Sequence, residues 1–118
     1  MANQQFMKAL DASTEVELTV TGRTSGRQIS IPVWFVHEGD TLYLVPINGS
    51  DSDWYKNVLA RPTIRLSQGG GDLTARATPI TDAPSVEQIL DKFRAKYGPK
   101  DVAAYYPKHD AAAEVPLA

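Results

Sequence analysis

Apolar and polar residues alternate through residues 15–21. Val16, Leu18 and Val20 fall on one side; Glu15, Glu17, Thr19 and Thr21 fall on the other. A period of two marks a strand with one buried face. Residues 28–36 keep that period, with Ile29, Ile31, Val33 and Phe35 on one face and Ser30, Pro32, Trp34 and Val36 on the other. Proline has no N–H to give to a ladder, so this second strand is expected at a sheet edge or bulged at Pro32. A tight turn at Glu38-Gly39-Asp40 leads into a third strand over residues 41–47, interrupted by Pro46. Residues 63–67 and 73–80 read as a fourth and fifth strand around the glycine-rich loop 68–72, and residues 113–117 as a last one.

The period changes at Asp82. Val86, Ile89, Leu90, Phe93 and Tyr97 recur at helical spacing, and Gly98-Pro99 follows as a stop. A shorter helix is expected from a cap at Asp51 or Ser52 to Ala60, with Trp54, Val58 and Leu59 as its inner stripe. Residues 4–12 form a candidate N-terminal helix with Phe6, Met7 and Leu10 on one side, and residues 100–106 a further helical turn. Three strands in a meander, then a hairpin, with helices at the joins, predict a mainly β (α+β) fold. That fold is a small antiparallel barrel of about six strands with two to four short helices. The 118 residues suffice for one domain spanning 1–118.

Composition removes several function classes. A net charge of −2 argues against a nucleic-acid binder. With no cysteine, and with His37 and His109 far apart, neither thiol chemistry nor a spaced metal site is expected. No apolar run approaches the ~20 residues of a membrane span, and residues 1–10 lack the pattern of a signal peptide, so a cytoplasmic location is expected.

The concentrated chemistry lies at Thr21-Gly22-Arg23-Thr24-Ser25-Gly26-Arg27. Two guanidinium groups, two hydroxyls and several free backbone N–H groups suit an anion such as phosphate. A solvated hairpin has the same composition. Trp34 is either a wall for a planar ring or barrel filling. Asn48-Gly49-Ser50 either offers backbone and amide groups to a ring edge or is a plain loop. Trp54 reads as core, whereas Tyr55 and Asn57 fall off the helix stripe and face a pocket or water. Tyr105 and Tyr106 either close a substrate pocket as hydrogen-bond or proton donors, which makes them the candidate catalytic groups, or pack on the barrel. The scattered acids form no acid–base pair.

Taken together, Thr21-Gly22-Arg23-x-Ser25-Gly26, Ile31-Pro32-Val33-Trp34-Phe35, Gly39-Asp40, Leu44-Val45, Asn48-Gly49 and Trp54-Tyr55-x-Asn57-x-x-Ala60-x-Pro62 resemble the deazaflavin-dependent nitroreductase family. That family sits within the wider group of pyridoxamine-phosphate-oxidase-like and flavin-reductase-like proteins. The resemblance covers residues 14 to 80 in register. It implies a split β-barrel, a deazaflavin (coenzyme F-420) cofactor with FMN as the alternative, and hydride transfer to a small electrophilic acceptor. It also implies a possible homodimer. By the family pattern the phosphate-bearing tail falls on Arg23, Ser25 and Arg27, and Thr24 between them completes the anion nest read from the turn itself. The ring falls along Pro32, Val33 and Trp34 and the loop Pro46, Ile47, Asn48 and Gly49. Trp54 and Asn57 support that end, and Tyr105 and Tyr106 border the acceptor. The chain departs from the pattern at Thr24 and Ile29, where basic residues are common. A non-catalytic module holding a cofactor or small ligand in the same barrel is the alternative reading.

Overall fold

The computed structural model describes residues 4–69 and 71–117. Gly70, inside the predicted loop 68–72, and the residues at the two chain ends lie outside it. The described residues form eight strands: β1 (Val16–Thr21), β2 (Gln28–Val33), β3 (Val36–Glu38), β4 (Thr41–Leu44), β5 (Thr63–Gln68), β6 (Gly71–Arg76), β7 (Thr78–Ile80) and β8 (Ala112–Pro116). Four helices accompany them: α1 (Gln4–Asp11), α2 (Asp53–Ala60), α3 (Ala83–Tyr97) and α4 (Pro99–Tyr105). Every pairing is antiparallel, in two four-stranded sheets ordered β2-β1-β5-β6 and β3-β4-β8-β7. Among the described residues no ladder joins the two sheets into a closed barrel.

Eight strands replace the expected six because two long apolar runs each cross from one sheet to the other. The run 28–36 breaks at Trp34 and Phe35, between β2 in the first sheet and β3 in the second. Phe35 is fully buried at the break, where its backbone groups leave both ladders. Buried backbone groups need partners, and here helix α3 supplies them. The Phe35 N–H donates to the Tyr97 hydroxyl at 3.0 Å, and Lys96 Nζ donates to the Phe35 carbonyl at 2.9 Å. Lys96 Nζ also lies 3.5 Å from the Phe35 ring centroid, a cation–π contact. The run 73–80 breaks in the same way at buried Ala77, whose N–H donates to the Pro62 carbonyl at 2.9 Å. Pro32 sits on β2, an edge strand, where its missing N–H leaves no gap in the ladder.

The inward positions of β1, β4 and β5 (Leu18, Leu42, Leu44 and Leu66) are fully buried, and Phe6 and Leu10 of α1 pack against the same core. Helix α3 is capped by Asp82, whose carboxylate accepts the Ser85 N–H at 3.1 Å. It buries Val86, Ile89, Leu90 and Phe93, as its spacing predicts. Helix α2 departs from its predicted stripe. Leu59 is 54% exposed, while Tyr55 and Asn57 turn inward beside Trp54 and Val58. The 41–47 strand stops at Leu44, because Pro46 and a 3-10 turn at Gly49–Asp51 redirect the chain into α2.

Candidate functional site

A cavity of about 220 Å³ opens where the β2–β3 crossover meets the end of β4 and the start of α2. Ile31, Pro32, Val33 and Trp34 form one wall, and Val45, Ile47 and Asn48 the next. Ser52, Asp53 and Trp54 at the start of α2, with Tyr105 and Tyr106 after α4, complete it. The lining is mainly apolar with a few polar groups, the character of a small-molecule site. The volume lies between a benzene-sized cavity of about 150 Å³ and the roughly 300 Å³ at which drug-sized sites begin. Eight of the sequence-predicted residues meet here: Pro32, Val33, Trp34, Ile47, Asn48, Trp54, Tyr105 and Tyr106. Pro46 and Gly49 are buried behind the loop that carries Ile47 and Asn48 and do not line the cavity.

Trp34 does not present an open face to this cavity. Tyr97 stacks on it with centroids 4.1 Å apart and planes within 7°, and Tyr105 stacks at 4.2 Å. Two rings that close on one face would touch each other. Tyr97 and Tyr105 make no such contact among the described residues, so they cover opposite faces. Tyr106 meets Trp34 edge-on at 5.9 Å. Trp34 is therefore the middle of an aromatic sandwich, and a ligand reaches its edge rather than its face.

Tyr97, read from its spacing as one more residue of the α3 stripe, is the hub that sequence reasoning missed. Its ring holds Trp34 and its hydroxyl holds the crossover, accepting from Phe35 and donating to the Thr14 carbonyl at 2.7 Å. Burial pushes its hydroxyl up to about 12, against a slight opposing pull from the Phe35 hydrogen bond. Burial likewise raises Tyr106 and lowers Lys96. A tyrosine raised by folding contributes stability that is whole below its unfolded value near 10 and is lost as pH climbs through the folded value. Between pH 10 and 12 the protein is expected to lose stability through Tyr97, on the order of 2–3 kcal/mol at most. Alkaline titration of urea midpoints checks this. Tyr97→Phe should flatten that loss while lowering stability near neutral pH by about 1–3 kcal/mol, since the Phe35 N–H is left unpaired.

The basic turn folds back on itself. Gly22 N–H donates to the Arg27 carbonyl at 2.8 Å, Gly26 N–H to the Gly22 carbonyl at 2.9 Å, and Arg27 N–H to Ser25 Oγ at 3.2 Å. Gly26 permits this closure with φ of +70°. Arg23 N–H donates to Asn57 Oδ1 at 3.0 Å. Within Gly22–Arg27 only Thr24 and Ser25 keep amides without a protein acceptor among the described residues, fewer than the several expected. The Arg23 guanidinium also turns to α2, donating to Asn57 Oδ1 at 2.8 Å and lying 3.7 Å from the Asp53 carboxylate. Asn57 thus anchors the basic turn, and Arg27 stands exposed in solvent.

The loop 46–52 is similarly self-contained. Gly49 N–H donates to the Pro46 carbonyl, Asn48 N–H to Ser52 Oγ, Asp51 N–H to the Asn48 carbonyl and Ser52 N–H to the Gly49 carbonyl, all within 3.1 Å. The Asp110 carboxylate accepts both the Ser50 N–H at 2.9 Å and the Ser50 hydroxyl at 2.6 Å. Those bonds hold the Asp110 carboxyl below its ordinary value. Lys108 Nζ lies 2.6 Å from Asp51. The backbone amides expected to face a ring edge are therefore already bonded, which leaves the Asn48 side chain as that loop's polar contribution to the cavity. Tyr106 also lines the cavity, and its hydroxyl has no hydrogen-bond partner among the described residues. No group of three or more His, Asp or Glu is placed to hold a metal among them, and no helix there is long and apolar enough to cross a membrane.

No curated protein matches this chain. Solved structures do. An "F420-H2 Dependent Reductase (FDR-A)" superposes with a TM-score of 0.68 at 24% identity, covering 86% of this chain and 93% of its own. HutZ, described as a haem storage protein of Vibrio cholerae, gives 0.72 at 10% identity over 98% and 89%. An FAD-binding protein of Mesorhizobium loti gives 0.62 at 14% identity over 100% and 91%. At these identities the likeness establishes a fold shared with cofactor-binding proteins of the split-barrel type. A family profile spans nearly the whole chain, matching residues 6–115, and the chain belongs to that family, described as "Uncharacterized protein conserved in bacteria (DUF2255)".

Proposed function

We propose that this chain is a split-barrel oxidoreductase that binds a deazaflavin (coenzyme F-420) or FMN and serves hydride transfer to a small electrophilic acceptor. One observation carries the reading. Asn57 ties the arginine-bearing turn to α2, the helix whose first turn lines the aromatic cavity, so anion arm and apolar wall form one rigid unit. The residues present fit part of such a group. Arg23 and Arg27 would hold a phosphate-bearing tail, and Ile31–Val33, Ile47 and Trp54 would lie along a ring edge. The Asn48 amide and the Tyr106 hydroxyl would meet its polar atoms. The covered faces of Trp34 give no stacking platform. The reduced ring would supply the hydride. The chain's own part is to orient that ring, keep water from it through the apolar lining, and donate a hydrogen bond from Tyr105 or Tyr106 at the acceptor side.

A second reading, a non-catalytic module that holds a cofactor or small ligand, is favoured by the already bonded amides of both loops and by the modest cavity. Titration with FMN and with the deazaflavin coenzyme, followed by fluorescence quenching, tests binding. Turnover of nitroaromatic and quinone acceptors with the reduced cofactor then separates the readings. Arg27→Ala is expected to weaken binding by about 1.5–3 kcal/mol, a charge-assisted contact, and Arg23→Ala by less because Asp53 already faces it. An unchanged affinity in Arg27→Ala would remove the turn from the site.

A further inference from the structure

We infer that Asp53 is a built-in competitor for Arg23 and lessens the advantage that a doubly charged phosphomonoester would otherwise hold at this turn over a singly charged anionic group, such as a phosphodiester or carboxylate. This deepens the proposed site and rests on an anion docking at the Arg23 turn. Arg23 cannot swing away from α2 freely. Asn57, 5% exposed, accepts from both its backbone N–H and its Nη1, and Nη1 also reaches the Asp53 carbonyl at 3.4 Å. The guanidinium is thereby parked over the first turn of α2, with the Asp53 carboxylate 3.7 Å from Nη2.

Asp53 is the acid here whose cation is Arg23 itself. The neighbouring Asp51 is paired with Lys108 at 2.6 Å, and Asp110 is bonded to Ser50. The Asp53 carboxylate sits at the helix N-terminus, where the peptide dipoles favour a negative charge. Its side chain is 90% exposed, so its grip on Arg23 is loose and solvent-screened. An entering anion can displace it from the arginine, yet stays within a few ångströms of it. Each added negative charge on the ligand meets the same fixed repulsion. For charges about 5 Å apart in a water-like medium the repulsion amounts to about fourfold in affinity per ligand charge.

Asp53→Asn tests this in the intact protein. Its side chain is 90% exposed, so the variant is expected to fold as wild type. The probes are phenyl phosphate at pH 8, doubly charged, and methyl phenyl phosphate, singly charged. Both are titrated at low salt while backbone amide resonances of residues 22–27 are followed by NMR. Asp53→Asn should tighten the monoester about fourfold more than the diester, and added salt should shrink the difference. Equal gains for both probes, no gain for either, or no shift at the turn in either protein would overturn the inference. If the probes discriminate as expected while FMN and the deazaflavin coenzyme fail to bind, the charge rule stands and the cofactor reading falls.

Discussion

Trp34→Ala is expected to lower stability by about 3–5 kcal/mol, toward the lower end because the residue is not fully enclosed. The loss comes from two sources. The indole fills the junction between the β2–β3 crossover and helices α3 and α4, and its removal leaves a void that rigid neighbours cannot close. Its stacks on Tyr97 and Tyr105, at 4.1 and 4.2 Å, add about 0.5–1.5 kcal/mol each beyond the area they bury. Trp34→Phe keeps a ring between the two tyrosines and should recover more than half of the loss. Urea unfolding followed by far-ultraviolet circular dichroism measures both variants. A loss below about 1 kcal/mol in the alanine variant would show that the sandwich is decorative and that Tyr97 holds the crossover through its hydroxyl alone.

That junction also marks where the sequence stopped being legible. Alternation identified residues 28–36 as extended chain and Pro32 as an edge or a break. It could not show that Val33 and Val36, in one extended run, belong to different sheets, with Phe35 in neither. A period of two is blind to a crossover, because the strand stays extended while its hydrogen-bond partners change. The same blindness merged β6 with β7 across Ala77. Helical spacing located α3 residue by residue, since its stripe is local. Tyr97 met the spacing too, but its role depends on Phe35, 62 residues away, and no local pattern carries that. On α2 the apolar stripe favoured Leu59 over Asn57. Tertiary pairing reversed the order, because a buried amide that satisfies Arg23 twice is better placed inward than a leucine with nothing to cover. Of the positions singled out from the sequence, those of the β2–β3 crossover, the 47–48 loop and the C-terminal tyrosines meet at one cavity, while those of the basic turn do not line it. Which backbone groups were already bonded was not readable, as in the Ser50–Asp110 contact that spans 60 residues.

Gly49→Ala is expected to lower stability by about 2–4 kcal/mol and to loosen the cavity's loop wall. Gly49 has φ of +56°, where a side chain is disfavoured by about 1–2 kcal/mol. A Cβ there would also overlap Asp110 Oδ1 and approach Lys108 Cγ to 2.9 Å. Asp110 must then swing out and give up both bonds to Ser50, which are charge-assisted and so stronger than neutral ones. Acid should expose the same dependence. A carboxylate lowered by folding contributes stability above its unfolded value, and that contribution fades as pH falls through the folded one. Wild type should therefore soften below about pH 4, whereas Gly49→Ala should already lack that share. Asp110→Ala separates the two causes, because it removes the bonds without strain. In the double variant the added methyl no longer overlaps a carboxylate, so its cost should fall short of the two single costs added together, leaving chiefly the backbone strain at position 49. Strict additivity in urea unfolding would mean that Asp110 already moves aside in solution and that the loop carrying Ile47 and Asn48 is held by its own turn alone.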